Sequence, residues 1–114
     1  MISKEFIKGS LRTIVLKVLK EDGPMHGYAI TKRVEELTAG KIKLTYGNLY
    51  PLLHKLEKEK VLVTARDITT GRMRIGYALT PKGESLVTQK IKEIREFIET
   101  LQVIVDLKPG LKYA

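Results

Sequence analysis

Six apolar residues, Val87, Ile91, Ile94, Ile98, Leu101 and Val105, recur at intervals of four and three near the end of this 114-residue chain. That spacing lines one seam of a helix, the pattern by which helices pack against helices. Phe97 and Ile104 widen the seam on one side. Thr80-Pro81 supplies an N-cap with proline at the first helical position, and Pro109-Gly110 closes the run, which predicts a helix over about 81–107. A chain of this length has room for one core and buries roughly two-thirds of the surface it exposes when unfolded. So small a core cannot cover so long a stripe. Part of the seam is expected to pack against a second subunit, the alternative being an intramolecular clamp.

The preceding residues change period twice. Leu11, Ile14, Val15, Leu16, Val18 and Leu19 form a helix with more than one apolar stripe, as a central helix requires. Ser10 is read as its N-cap and Gly23-Pro24 as its stop; Phe6 and Ile7 either extend it or pack on another subunit. Ile30, Val34 and Leu37 mark a second helix over about 27–38, ended by Gly40. Thr45 caps a third that runs to about Glu59, with Leu49, Leu52, Leu53 and Leu56 on one face. Val61 to Arg66 and Arg74 to Leu79 then alternate in steps of two around a polar turn, predicting one hairpin. A lone hairpin is marginal without support. The order is therefore that of a mainly α fold with a two-stranded β-wing, a winged helix-turn-helix plus a long C-terminal helix. The expected division is a winged domain over 1–80 and a dimerisation helix and tail over 81–114.

Lys and Arg number 21 against 13 acids, a formal charge of +8. The excess is uneven: residues 1–81 carry 15 bases and 8 acids, residues 82–114 carry 6 and 5. A concentrated positive charge is the electrostatic footprint expected for a polyanion. Cysteine is absent and the two histidines, His26 and His54, lie far apart, so neither a disulfide framework nor a metal site is expected. No cofactor is implied, and no catalytic constellation or phosphate-cradling glycine loop is present. Without a spanning apolar run or a signal-like N-terminus, the expected setting is cytoplasmic, away from any membrane.

Opposite the leucines of the third helix fall Gly47, Pro51, His54 and Lys58, with Asn48 and Lys55 on one flank and Tyr50 nearer the other. Recognition helices read base edges from their first turns and phosphates from the basic residues around them. Tyr46, Asn48, Tyr50, His54, Lys55 and Lys58 are thus candidates for contact with double-stranded DNA. Asn48 offers the donor and acceptor that suit adenine, or it caps the turn locally. Tyr50 reaches DNA or half-buries against a neighbouring helix, and Lys55 and Lys58 meet phosphate or only solvent. Pro51 orphans the Gly47 carbonyl; either the first turn ends irregularly near Tyr50, or small residues let the backbone approach DNA closely. Arg72 and Arg74 at the hairpin tip suit a DNA backbone or a narrow minor groove.

His26-Gly27-Tyr28-Ala29-Ile30, Gly47-Asn48-Leu49-Tyr50-Pro51-Leu52-Leu53, Leu56-Glu57-Lys58, Gly71-Arg72 and Tyr77-Ala78-Leu79-Thr80-Pro81-Lys82-Gly83 occur in that order. Together they resemble the PadR-like transcriptional regulators, in the short form with one C-terminal helix, over roughly residues 10–100. The resemblance implies a homodimeric repressor that places two third helices in successive major grooves, with wings alongside. It carries Tyr46, Asn48, Tyr50, His54 and Lys55 onto the DNA-facing helix and Arg72 and Arg74 onto the wing. It also implies a small aromatic or cationic effector that lowers DNA affinity.

The chain departs from that pattern in several places. Asn48 replaces the usual Thr or Ser, and Lys60 stands where glycine ends the third helix, at a cost of roughly 1 kcal/mol if it is left-handed. Ile75, Gly76 and Ala78 make the wing less basic. Ile94 takes a position where drug-sandwiching members carry an aromatic residue, which leaves Phe97 to stack in a ligand site at Ile94 and Phe97. A winged-helix protein–protein adaptor without DNA binding is the competing reading. The 8 bases against 3 acids over residues 41–74 argue against it.

Overall fold

Ile7, Leu11, Val15 and Val18 follow one another at helical intervals and line the buried side of α1 (Lys4–Asp22). The computed structural model describes residues 2–67 and 74–110. The first helix begins behind Ser3, whose backbone is extended, and not behind Ser10. Nothing between Lys4 and Ser10 breaks a helix, and Ile7 adds a turn to the buried stripe. Ser10 instead sits inside the helix, its hydroxyl donating to the Phe6 carbonyl at 2.7 Å, the back-bonding by which serine is tolerated there. Gly23, at φ +82°, turns the chain out of the helix.

A two-residue strand, β1 (Met25–His26), leads into α2 (Gly27–Leu37). Ala39 and Gly40 both adopt positive φ, and the Gly40 N–H reaches back to the Glu35 carbonyl at 2.8 Å, stopping the helix. The helix-turn-helix is completed by α3 (Tyr46–Lys58), which runs unbroken through Pro51. Its apolar face explains why: Leu49, Leu53 and Leu56 are each 0% exposed, while Pro51 lies on the outer face, where a missing hydrogen bond is left to solvent. Packing outweighs the local cost.

α3 ends as its sequence position requires but with an unfavourable residue. The Lys60 N–H donates to the Glu57 carbonyl and the Val61 N–H to the Leu56 carbonyl, both at 2.9 Å. That is a Schellman motif with Lys60 at φ +62°, a conformation glycine adopts without penalty. Lys60→Gly is expected to stabilise the fold by about 1 kcal/mol, raising the midpoint of thermal unfolding by roughly 4 °C. An unchanged or lower midpoint in a calorimeter would refute the strain.

β2 (Leu62–Asp67) and β3 (Arg74–Leu79) pair antiparallel, Leu62 facing Leu79 and Thr64 facing Tyr77. The predicted hairpin is present, but the sheet has three strands, in the order β1-β3-β2. Met25 and His26 pair with Tyr77 and Gly76. Two residues are too few to show a periodicity, so the third strand left no pattern in the sequence. It ties the hairpin to the start of α2, the support that an isolated pair lacks.

α4 (Pro81–Val105) opens on Thr80, whose hydroxyl accepts from the Gly83 N–H at 3.1 Å. Gly83 lies directly on the Val61 carbonyl, and a Cβ there would come within 3.3 Å of the Val61 carbonyl carbon. Close approach joins α4 to the end of α3. Val87 is 1% exposed within a single chain. It therefore belongs to the protein's own core, and the expectation that it lies in a seam between subunits is corrected. Ile91 packs partly on that core as well, and Ile94 is half-buried. Beyond it Ile98 is 56% and Val105 68% exposed, as α4 leaves the rest of the molecule behind. The radius of gyration, 17.3 Å, exceeds the roughly 13 Å of a compact chain this long. Among the described residues, no helix is long and apolar enough to cross a membrane, and no cluster of His, Asp and Glu could hold a metal ion.

Candidate nucleic-acid interface

The N-terminus of α3 is organised by a capping box. Asn48 donates its backbone N–H to the Thr45 hydroxyl at 3.3 Å, and its Oδ1 accepts from the Thr45 N–H at 3.0 Å. Both orphan donors are satisfied reciprocally. The side chain thus takes the capping role foreseen as the alternative to base contact, with Oδ1 turned toward its own backbone. Bidentate pairing with adenine needs oxygen and nitrogen presented together, and the cap leaves only the Nδ2 donor unused. Asn48→Asp keeps the acceptor and removes that donor. It is expected to leave thermal stability nearly unchanged, whereas Asn48→Ala loses about 1 kcal/mol of stability with the cap. Equal loss of stability in both variants, by thermal melts, would refute the assignment.

His54, Lys55 and Lys58 are exposed on the side away from the leucines, with Pro51 among them. Neither Glu57 on this helix nor Glu59 at its cap forms an ion pair with the two lysines. Glu57 accepts from the Thr64 hydroxyl at 2.7 Å, and Glu59 is held by Arg12. Lys55 and Lys58 make no ion pair among the described residues, whereas Lys17, Lys20, Arg33 and Lys90 each face a carboxylate.

Tyr50 turns inward. Its hydroxyl rests against Gly27, where a Cβ would fall 2.7 Å from the ring carbon that bears the oxygen. The ring stacks on Tyr46 with centroids 4.1 Å apart and meets His54 edge-on at 6.3 Å. Half-burial is its main role, and it props up Tyr46, which is 74% exposed. Only a glycine at the start of α2 admits this arrangement.

One flank of α3 faces a cleft of about 700 Å³ that gathers Tyr28, Tyr46, Tyr50, His54, Tyr77 and Arg74. The sheet brings Arg74 here from far along the chain, whereas Arg72 lies outside the described residues. Burial pushes the Tyr77 phenol above its ordinary value, so it adds no negative charge. Tyr28 is the residue that sequence reasoning passed over. It is exposed, with the Lys32 ammonium 5.8 Å from its ring centroid, and its signal was limited to a place in a quoted motif. Asn48 faces the other flank of α3. Ile94 and Phe97, the expected ligand residues, line a separate groove with Phe6 between α1 and α4.

The family model described as "Transcriptional regulator PadR-like family" matches residues 15–89. The chain belongs to the PadR-like family. Similar relatives include the transcriptional regulator Rv3488 of Mycobacterium tuberculosis, 31% identical over 93 residues that cover 82% of this chain and 83% of that protein. The transcriptional regulator YqjI of Escherichia coli is 36% identical over 97 residues, 85% of this chain, which spans 43% of that relative's length. Among solved structures, a transcriptional regulator from Clostridium thermocellum superimposes with a TM-score of 0.84 at 27% identity, covering 93% of this chain and all of that one. This PadR-like chain is thus a winged-helix transcriptional regulator by family, and its fold matches that family's solved members.

Proposed function

We propose that this PadR-like regulator is a homodimeric repressor that binds double-stranded DNA by laying α3 in the major groove. The observation that carries the reading is the division of α3 into two faces. Leu49, Leu53 and Leu56 are sealed in the core and Leu52 packs partly against it, while His54, Lys55 and Lys58 project from the opposite side. Tyr46 and Asn48 sit at the leading end, and Arg74, with Arg72 beyond the described residues, belongs to the wing beside it. The α3 face supplies base contacts; the lysines and arginines supply phosphate contacts that set register and most of the affinity.

The second subunit meets α4. Ile94, Ile98, Leu101 and Val105, widened by Phe97 and Ile104, form an apolar face that the chain's own core leaves open beyond Ile94. Exposed apolar surface of that extent marks a partner site. The working division is a winged unit over 1–80 and a dimerisation segment from 81 onward, with its first turns shared with the core. A small-molecule effector forms no part of this reading. The Ile94 and Phe97 groove adjoins the face that a second α4 would cover.

Selection of bound duplexes from a random DNA pool tests the proposal. The expected product is a palindrome with half-sites about one helical turn apart. Recovery of no duplex at low salt would leave the adaptor reading in its place.

A further inference from the structure

The flank of α3 opposite the aromatic cleft holds a second groove, of about 550 Å³, lined by Lys4 and Lys8 of α1 and by Lys43, Thr45, Gly47 and Asn48. Ile7 and Leu11, both part of the core, form its floor. We propose that this groove is a second phosphate-binding surface, which seats the sugar–phosphate backbone of the duplex strand on the side of α3 away from the wing. The inference rests on the reading of α3 as the DNA-facing helix and extends the interface to α1, which the sequence did not implicate.

Charge is the first argument. Lys4, Lys8 and Lys43 are all exposed, and none makes an ion pair among the described residues, in contrast to the bases farther along α1, where Arg12, Lys17 and Lys20 are each paired. Lys41 adds a fourth exposed base nearby, and the Ile2 N–H donates to its carbonyl at 3.4 Å, tying the start of the chain to the loop before α3. The local acid, Glu5, lines the groove between α1 and α4 instead. Lysines gathered without counter-charges repel one another in the folded state, a cost that a polyanion reverses.

Geometry is the second. The groove and the aromatic cleft lie on opposite flanks of the same helix end, and Asn48 borders the first while Tyr46 borders the second. A helix in a major groove about 12 Å wide has a phosphate strand on either side. Arg74 and Tyr28 face one strand; Lys4, Lys8 and Lys43 face the other. Gly47 has nothing within 4 Å of where a side chain would be, so the backbone between the two flanks can approach closely.

The test is the salt dependence of affinity of the full chain for its selected duplex. Each neutralised phosphate contributes about −0.9 to the slope of log affinity against log salt. A Lys4→Gln/Lys8→Gln/Lys43→Gln variant, losing six charges per dimer, is expected to bind with a slope shallower by at least about two units, with base preference unchanged. A Lys92→Gln/Arg95→Gln/Lys108→Gln variant removes as much charge elsewhere and is expected to keep the wild-type slope. A groove variant within two units of wild type, or a control variant equally flattened, overturns the proposal. Wild-type protein that binds no duplex at all would instead defeat the reading of α3 itself. Circular dichroism melts of both variants check that these exposed substitutions leave the fold intact.

Discussion

Ile98→Asp is expected to yield a protein that sediments at the 12.9 kDa of one chain and binds a palindromic duplex at least about a hundredfold more weakly. Ile98 touches little within its own subunit, being more than half exposed, so the substitution removes no core packing. In a two-fold assembly it appears twice at the seam, and each carboxylate must be dehydrated among Phe97, Leu101 and Val105 of both helices. Burying such a charge without a partner costs several kcal/mol, enough to separate subunits that meet mainly through apolar contacts. DNA affinity falls for a different reason. A monomer reads one half-site and loses the high effective concentration that linkage confers on the second. Sedimentation at twice the chain mass would show that the contact lies elsewhere.

Raising salt from 50 to 200 mM is expected to reduce duplex affinity by about a thousandfold or more. Lys55, Lys58 and Arg74 would occur twice in the proposed dimer, which would bring at least six cations to phosphate before the α1 groove is counted. Displacing the counterions condensed on that many phosphates is entropically favourable only while bulk salt is dilute. Lys55→Gln/Lys58→Gln removes four charges per dimer and should flatten the log–log slope by up to about 3.6 units. A flat response in the wild-type protein, measured by fluorescence anisotropy, would refute electrostatic binding altogether. The unpaired state of Lys55 and Lys58 is central here, because cations already matched to Glu57 or Glu59 would gain less from DNA.

The two faces of α3 were legible in the sequence because a helix periodicity divides residues into faces without reference to anything else. Leu49, Leu53 and Leu56 had to go in, and His54, Lys55 and Lys58 had to come out. Asn48 and Tyr50 were different. Each had two chemically reasonable roles, and the choice depended on atoms brought from elsewhere: the Thr45 backbone for one, the bare Gly27 surface for the other. Ser10 misled for a related reason. A good cap marks a helix start only if the chain before it turns away, and Ile7 found a place in the core.

Local chemistry in the chain was sufficient for the helix order, the hairpin, the proline-led start of α4 and the polar face of α3. Each follows from steric or hydrophobic rules acting over a few neighbouring residues. Only the folded molecule decided how much of the α4 seam is left for a partner, since Val87 had to be seen inside the core. It alone could place β1, join Arg74 to His54 and set the lysines of α1 beside the tip of α3. Those are long-range juxtapositions, created when one core gathers segments far apart in sequence, and no periodicity within a segment encodes them.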